Sequence, residues 1–280
     1  DNLRGVPCLC LRSRRAGRIR IMAVEYCCYA TPGKRKAALL CNAFAKGARA
    51  KGHTALVYED APHKLRPGAA VFYGVVPATR HLFEQAKAEG REWWYIDNSY
   101  FDNGRGTYFR VTCNALQAEG TAEPDYARAA ALGLSVKPWQ LNVGGHVLVL
   151  PSSDEFMRLC GWAGGLAGWL ARVDHDLRAT KRLVKIRPWN RDKQGAASGL
   201  PAAMNGAWAV VTHASAAANE ALMAGIPTFV TGQCAARPFS VTNICQIESP
   251  RYPEGRERWV AALAASQWTL GEIALGAALP

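Results

Sequence analysis

The polar side chains best suited to binding or catalysis fall where short apolar runs end. Thr212-His213-Ala214-Ser215 follows the run Ala207 to Val211, Ser152 and Ser153 follow His146 to Leu150, and Lys185 and Arg187 alternate with apolar neighbours before Pro188. Hydroxyls, an imidazole and fixed cations gathered at such ends suit a diphosphate, which needs oriented donors and positive charge where water is partly excluded. Glu220, five residues beyond Ser215, is placed to accept hydrogen bonds from a ribose diol whose phosphates lie near Ser215. Asp97 ends a further run, Trp93-Trp94-Tyr95-Ile96, and is the candidate general base, with aromatic and polar company that would raise its pKa. Glu25 and Asp102 stand in reserve. Each has a plain alternative: a surface ion pair for Lys185 and Arg187, a turn contact for His213, a solvated helix position for Glu220. Asp97 could equally cap a turn with Asn98 and Ser99.

These positions require strands that deliver them to one edge. Residues 207 to 230 read as strand, tight turn, helix, tight turn, strand, with Ser215 as N-cap of a helix running to about Ala224. Gly225 supplies positive φ beyond the helix end, Pro227 prevents continuation, and Thr228 to Val230 is the next buried strand. A helix opening directly off a buried strand points free backbone N–H groups and a partial positive charge at the carboxyl edge of a parallel sheet.

The same alternation runs through the chain. Strands are predicted at Arg18 to Tyr26, His53 to Tyr58, Ala69 to Tyr73 and Glu92 to Ile96, with helices at Lys34 to Lys51 and Thr79 to Glu89. Asp97 to Arg110 is a polar, aromatic loop, and Val111 to Gln140 is irregular apart from one helix near Asp125 to Ala131. The rhythm restarts with a strand at His146 to Leu150, a helix from Asp154 to Val173 and a strand at Leu183 to Ile186. After the 207–230 unit, helices at Arg256 to Ala264 and Gln267 to Ala277 close the chain. The expected fold is α/β: two Rossmann-like domains, 18–142 and 143–280, facing a cleft, preceded by a basic tail at 1–17.

Composition bounds the partners. The chain has 280 residues, 49% hydrophobic, and a formal net charge of +12. Residues 1–51 hold twelve Lys and Arg against Asp1 and Glu25, so nearly all the excess is at the amino end. A one-sided basic face suits a polyanion such as nucleic acid, an anionic membrane surface or a phosphorylated substrate, while a solvated face with a basic tail is the plain alternative. Lys34, Arg35 and Lys36, with Tyr100, Arg105 and Arg110, are the candidate acceptor or DNA contacts, supported by Phe101, Tyr108 and Phe109. A phosphate-binding P-loop at 28–36 is excluded, because Cys28 stands where its first glycine belongs and Arg35 where it needs Ser or Thr. Nine scattered cysteines contain no C-x-x-C pair, which indicates neither a zinc site nor a disulfide framework. No apolar run reaches the roughly 18 residues of a membrane span.

The stretch from His213 to Pro227, HASAAANEALMAGIP, resembles the nucleotide-sugar signature of GT-B glycosyltransferases, in which a small-residue turn precedes a Glu and then G-[IV]-P. Lys185 to Pro188 is similar to the basic strand end beside the diphosphate in that family. The resemblance implies that Ser215 and nearby amides hold the diphosphate of a nucleotide-sugar donor, UDP-linked on this reading, that Arg187 neutralises it, and that Glu220 binds the ribose. It also implies catalysis without an obligatory metal. With the basic first half, the chain looks similar to viral DNA glycosyltransferases, whose acceptor is a hydroxymethylated base in duplex DNA. A cell-envelope or lipid-linked acceptor is the alternative, as is a non-catalytic nucleotide- or DNA-binding module. The expected location is the cytoplasm of a bacterial or virus-infected cell.

Overall fold

The computed structural model describes residues 23–74, 77–101, 107–187 and 196–280. It divides into two compact units: the described residues up to Leu116 together with Ser266–Pro280, and Gln117–Ala265. The division drawn from sequence, at 142/143, lies inside the second of these.

The first unit begins β1 (Glu25–Tyr29), α1 (Arg35–Ala50), β2 (Thr54–Tyr58), β3 (Ala69–Tyr73), α2 (Pro77–Ala88), β4 (Trp93–Asn98) and β5 (Tyr108–Cys113). Strand β1 starts later than the sequence predicted, and the predicted residues 18–22 lie outside the described residues. Cys27 and Cys28, read as the opening of a turn, are both fully buried within β1, where a thiol packs as a small hydrophobe. Helix α1 buries Ala37, Leu40, Cys41, Phe44, Ala45 and Ala48, the stripe its 3.6-residue period prescribes. The stretch around Val111, read as irregular, is instead strand β5, whose buried Phe109 and Val111 alternate with polar residues.

The second unit contains α3 (Tyr126–Ala131), β6 (His146–Leu150), α4 (Asp154–Leu159), α5 (Gly165–Leu177), β7 (Val184–Ile186), α6 (Ala196–Met204), β8 (Ala207–Thr212), α7 (Ala217–Met223), β9 (Thr228–Val230) and α8 (Arg256–Ala265). Its sheet runs β7-β6-β8-β9 with every pairing parallel. Val147, Val149, Ala209 and Val211 face Met157, Trp169 and Val173 of α4 and α5, whereas Leu148, Leu150 and Val210 face Met204 of α6 and Ala221 of α7. Both faces are covered over β6 and β8, which is why those two strands are largely apolar runs rather than alternating ones. The single helix predicted from Asp154 to Val173 is two, because Gly161 and Gly164 adopt positive φ between them.

The chain then returns to the first unit. Gln267–Ala277, predicted as a helix, opens as strand β10 (Gln267–Thr269) and continues as α9 (Leu270–Ala274). Thr269 forms a capping box with Glu272, so the T-x-x-E spacing marks the true helix start three residues after the predicted one. The first sheet therefore runs β10-β5-β4-β3-β1-β2, with β4, β3, β1 and β2 parallel and β5 and β10 antiparallel at one side.

Helix α9 packs on α1 so closely that a Cβ on Gly47 would enter the Ile273 carbonyl. Gly47→Ala gains up to about 1 kcal/mol in helix propensity, but overpacking against a backbone group costs about 1–3 kcal/mol. The expected outcome is a net loss of up to about 2 kcal/mol, read as a lower urea midpoint with unchanged slope; a higher midpoint would refute the contact.

Candidate functional site

In the second unit the register sets Leu150 beside Thr212 and Thr212 beside Val230, and the Arg187 amide donates to the Val149 carbonyl at 3.0 Å. Four strand ends are thereby level. The connection from β6 leads through α4 and α5 to β7 on one side, and that from β8 through α7 to β9 on the other. The neighbouring ends of β6 and β8 are thus the switch point of this sheet, where departing connections leave a crevice. Ser152 and Ser153 lie at one lip, and His213 to Ser215 at the other.

The individual residues divide. Thr212 is fully buried and its hydroxyl donates to the Leu150 carbonyl at 2.6 Å, so it ties the two strand ends and is no ligand contact. Ser153 is the N-cap of α4, accepting from the Phe156 amide at 3.3 Å, while Ser152 is buried beside it. Ser215 is not the N-cap predicted for α7; Ala216 holds that place, and the Ser215 hydroxyl accepts from the Ala217 amide at 3.2 Å. The Ala218 and Asn219 amides bond to the Ser215 and Ala216 carbonyls at 3.1 and 2.9 Å. The free amides expected at this helix start are therefore satisfied internally, and α7 has only seven residues. Glu220 is half-buried in α7, and Lys185 is exposed on β7. Arg187, half-buried, lays its guanidinium on α6, where a Cβ on Gly199 would meet it. By pairing, Lys185 stands beside Leu148, which puts Lys185 and Arg187 on the α6/α7 face, as their alternation predicted.

The far end of α7 is fixed from outside. The Lys137 amide donates to Met223, the Gln140 side chain to Ala224 and the Gln140 amide to Gly225, at 2.8, 2.7 and 2.7 Å, and Arg256 donates to Leu222. Four carbonyls that a helix end leaves open thus have partners. Gly225 holds φ of +79° there, and a Cβ would strike the Pro138 carbonyl.

Sequence reasoning missed the residues around His213. The ring is 6% exposed and its Nδ1 receives Trp162 Nε1 at 3.2 Å, with Thr231 Oγ1 at 2.8 Å; Trp169 Nε1 donates to Thr231 Oγ1 at 2.9 Å. Burial pushes the imidazole pKa down to about 4. The signal lay in topology: Thr231 and Gly232 directly follow a strand of the same sheet as Thr212.

The first unit holds a separate cluster. Asp97 Oδ2 receives Arg110 Nη2 at 2.6 Å and the Tyr95 hydroxyl at 3.0 Å, and Oδ1 receives the Asn98 amide at 2.8 Å. Burial, then the Asp97 charge, drive the Tyr95 pKa well up. Burial opposes the charge on Arg110, but Asp97 and then Tyr95 outweigh it and raise the guanidinium pKa. Arg110, predicted to meet an acceptor, is instead 6% exposed and bonded to the Asn98 and Leu116 carbonyls. Tyr100 is fully buried, with Phe101 and Phe109 each 4% exposed, so these rings are core and offer no stacking platform. Arg105 and Asp102 lie outside the described residues. Glu25 opens β1 at its amino end, away from the carboxyl edge that carries Asn98. Lys34, Arg35 and Lys36 are exposed at the start of α1, and Lys36 donates to Asn98 Oδ1 at 3.0 Å, near the Phe109 ring.

Among the described residues no three His, Cys, Asp or Glu side chains gather closely enough to hold a metal ion. Asp174-His175-Asp176, an Asp-x-Asp triplet the sequence reading passed over, lies within α5, where positions two apart face different ways. Asp176 pairs with Arg172 at 2.9 Å and Asp174 with Arg178 at 3.8 Å. No described helix is long and apolar enough to cross a membrane.

The architecture defines an α/β protein with two parallel-rich sheets, one of which has a topological switch point between β6 and β8. No protein-family model and no curated protein matches the chain. Among solved structures it is similar to Thermosulfurimonas dismutans KpsC, beta Kdo 2,4 transferase, at 12% identity and TM-score 0.47, covering 86% of this chain and 90% of that one. It is also similar to Thermosulfurimonas dismutans KpsC, beta Kdo 2,7 transferase, at 10% identity and TM-score 0.47, covering 91% and 99%. Likeness at this level neither assigns the chain to a family nor carries an activity across to it.

Two outcomes follow from the geometry. Between about pH 4 and 6.5 His213 is neutral when folded and protonated when unfolded, so unfolding takes up a proton and stability falls as pH drops through that window. The loss approaches about 3 kcal/mol. Urea midpoints at pH 4.5 and 7 should differ less in His213→Gln than in the parent; an equal difference refutes the assignment. Asp97→Asn leaves Arg110 buried without its anion and should cost about 3 kcal/mol, the low end for a buried pair because the Asp97 side chain is 25% exposed, again read from the urea midpoint.

Proposed function

We propose that this chain is a nucleotide-sugar-dependent glycosyltransferase whose donor binds the second unit. The observation that carries the reading is the β6/β8 switch point, with His213 and Ser215 at its lip and Arg187 and Glu220 on the α6/α7 side. Arg187 and Lys185 supply positive charge for a diphosphate, and Glu220 accepts hydrogen bonds from the ribose of a UDP-linked donor. Ser152 contributes at the opposite lip. Thr212 and Ser153 support strand and helix ends and stay out of the contact set.

Transfer breaks the bond between the sugar's anomeric carbon and the diphosphate, which leaves with the electron pair. The acceptor hydroxyl oxygen forms the new bond and gives its proton to a base. Asp97 fits that role only through Oδ1, since Oδ2 is committed to Arg110 and Tyr95. Charge on the departing group is met by Arg187.

Lys34, Arg35 and Lys36 favour an anionic acceptor. Burial of Tyr100, Phe101, Phe109 and Arg110 removes the stacking surface that an extruded DNA base needs. That observation favours an anionic cell-envelope or lipid-linked saccharide over hydroxymethylated duplex DNA.

The test incubates the full chain with a panel of nucleotide sugars and both acceptors, with products read by mass spectrometry. Glycosylated DNA would restore the DNA reading, and glycosylated saccharide supports the other. By calorimetry Arg187→Ala should weaken UDP binding by about 1.5–3 kcal/mol, the usual worth of a hydrogen bond to a charged group. Asp97→Asn should lose turnover while keeping UDP affinity, assayed below its unfolding midpoint. Absence of UDP binding by the parent, or equal binding by Arg187→Ala, would overturn the donor site.

A further inference from the structure

Two indole donors converge on the ends of β8 and β9. An indole N–H can only donate. Trp162 Nε1 therefore makes His213 Nδ1 an acceptor, and the neutral ring carries its proton on Nε2. Trp169 points its own N–H at Thr231 Oγ1, which leaves the Thr231 hydrogen free to reinforce the same Nδ1 lone pair. The tautomer is thus set by three residues, none of them ionisable. Orientation is set as well. Trp162 stands edge-on to the imidazole at 87° with centroids 5.7 Å apart, and a Cβ on Gly232 would lie 2.6 Å from Cε1 and 2.7 Å from Nε2. Nε2 has no hydrogen-bond partner among the described residues. One N–H just past the end of β8 is consequently left for a partner that the described residues do not supply.

We infer that Trp162 and Thr231 are positioning residues that hold His213 as an Nε2–H donor to a phosphate oxygen of the sugar nucleotide. This rests on the glycosyltransferase reading and names a contact within its donor site. A neutral donor has a particular use there. It orients the oxygen in both substrate and product, but it grips a departing diphosphate less strongly than an imidazolium would. Its strength also stays constant where an ordinary histidine would change charge, because burial keeps the ring neutral.

The test is long-range ¹H–¹⁵N spectroscopy of the full chain carrying ¹⁵N-histidine, with the His213 signals assigned by their loss in His213→Gln. Expected in the free protein are a protonated Nε2, an acceptor-type Nδ1 and no titration between pH 8 and pH 5. Adding UDP, and separately inorganic pyrophosphate, should shift the Nε2 proton. Trp162→Phe should mix the tautomers and lower UDP affinity about tenfold. Thr231→Val should do the same more weakly, and Thr231→Ser should restore the parent spectrum. The threonine pair decides the matter if Trp162→Phe does not fold. A proton on Nδ1, or titration near the ordinary histidine value, overturns the inference. So does UDP binding, seen by calorimetry, that leaves Nε2 unmoved, and that result spares the glycosyltransferase reading. Failure of both UDP and pyrophosphate to bind would sink the two together.

Discussion

The hydroxyl of Thr212 bonded to the carbonyl of Leu150 is the interaction on which the second unit's site depends. It joins the ends of two neighbouring strands whose chains then leave in opposite directions, and so fixes the width of the gap between them. The bond is fully buried, where an unmade pair would cost both groups their solvation. Everything at the lip inherits this spacing: Ser152 and Ser153 two and three residues past Leu150, His213 and Ser215 just past Thr212. The outer end of α7 is anchored as firmly, by Lys137, Gln140 and Arg256, so Glu220 sits on a short helix held at both ends.

The two units treat charge differently. In the first, Asp97 and Arg110 neutralise each other inside the sheet edge, and the remaining cations of α1 stand in solvent. In the second, Lys185 and Arg187 have no acidic residue within ion-pair distance among the described residues. A guanidinium resting on backbone and half open to water is available to an anion, whereas one bonded to a carboxylate and two carbonyls is not. That contrast, rather than the total of basic residues, separates an available cation from a structural one.

Much of the fold was readable because long apolar runs flanked by turn residues leave few alternatives. Ala69–Tyr73, His146–Leu150 and Thr228–Val230 were predicted residue for residue, and α1 to within one. What escaped was tertiary. Strand β5 looked irregular because Arg110 interrupts it, and only burial against Asp97 makes an arginine acceptable there. Strand β10 is three residues long, too short for a period to register. The site was readable as a set of strand ends, but not the state of each side chain. Whether Ser215 turns its hydroxyl outward or uses it to accept the Ala217 amide is decided by one side-chain torsion. The Trp162–His213–Thr231 arrangement joins residues up to 69 positions apart, a distance over which no local spacing speaks.

The return of β10 and α9 to the first sheet has a temporal meaning. A ribosome makes residues 117–265 before it makes the strand that finishes the sheet begun at Glu25. The second unit can therefore collapse on its own while the first waits, with the outer edge of β5 and the α9-facing side of α1 uncovered, until residues 266–280 emerge. Synthesis imposes an order in which the later-encoded half matures first, and the earlier half needs protection from stray strand pairing in the interval.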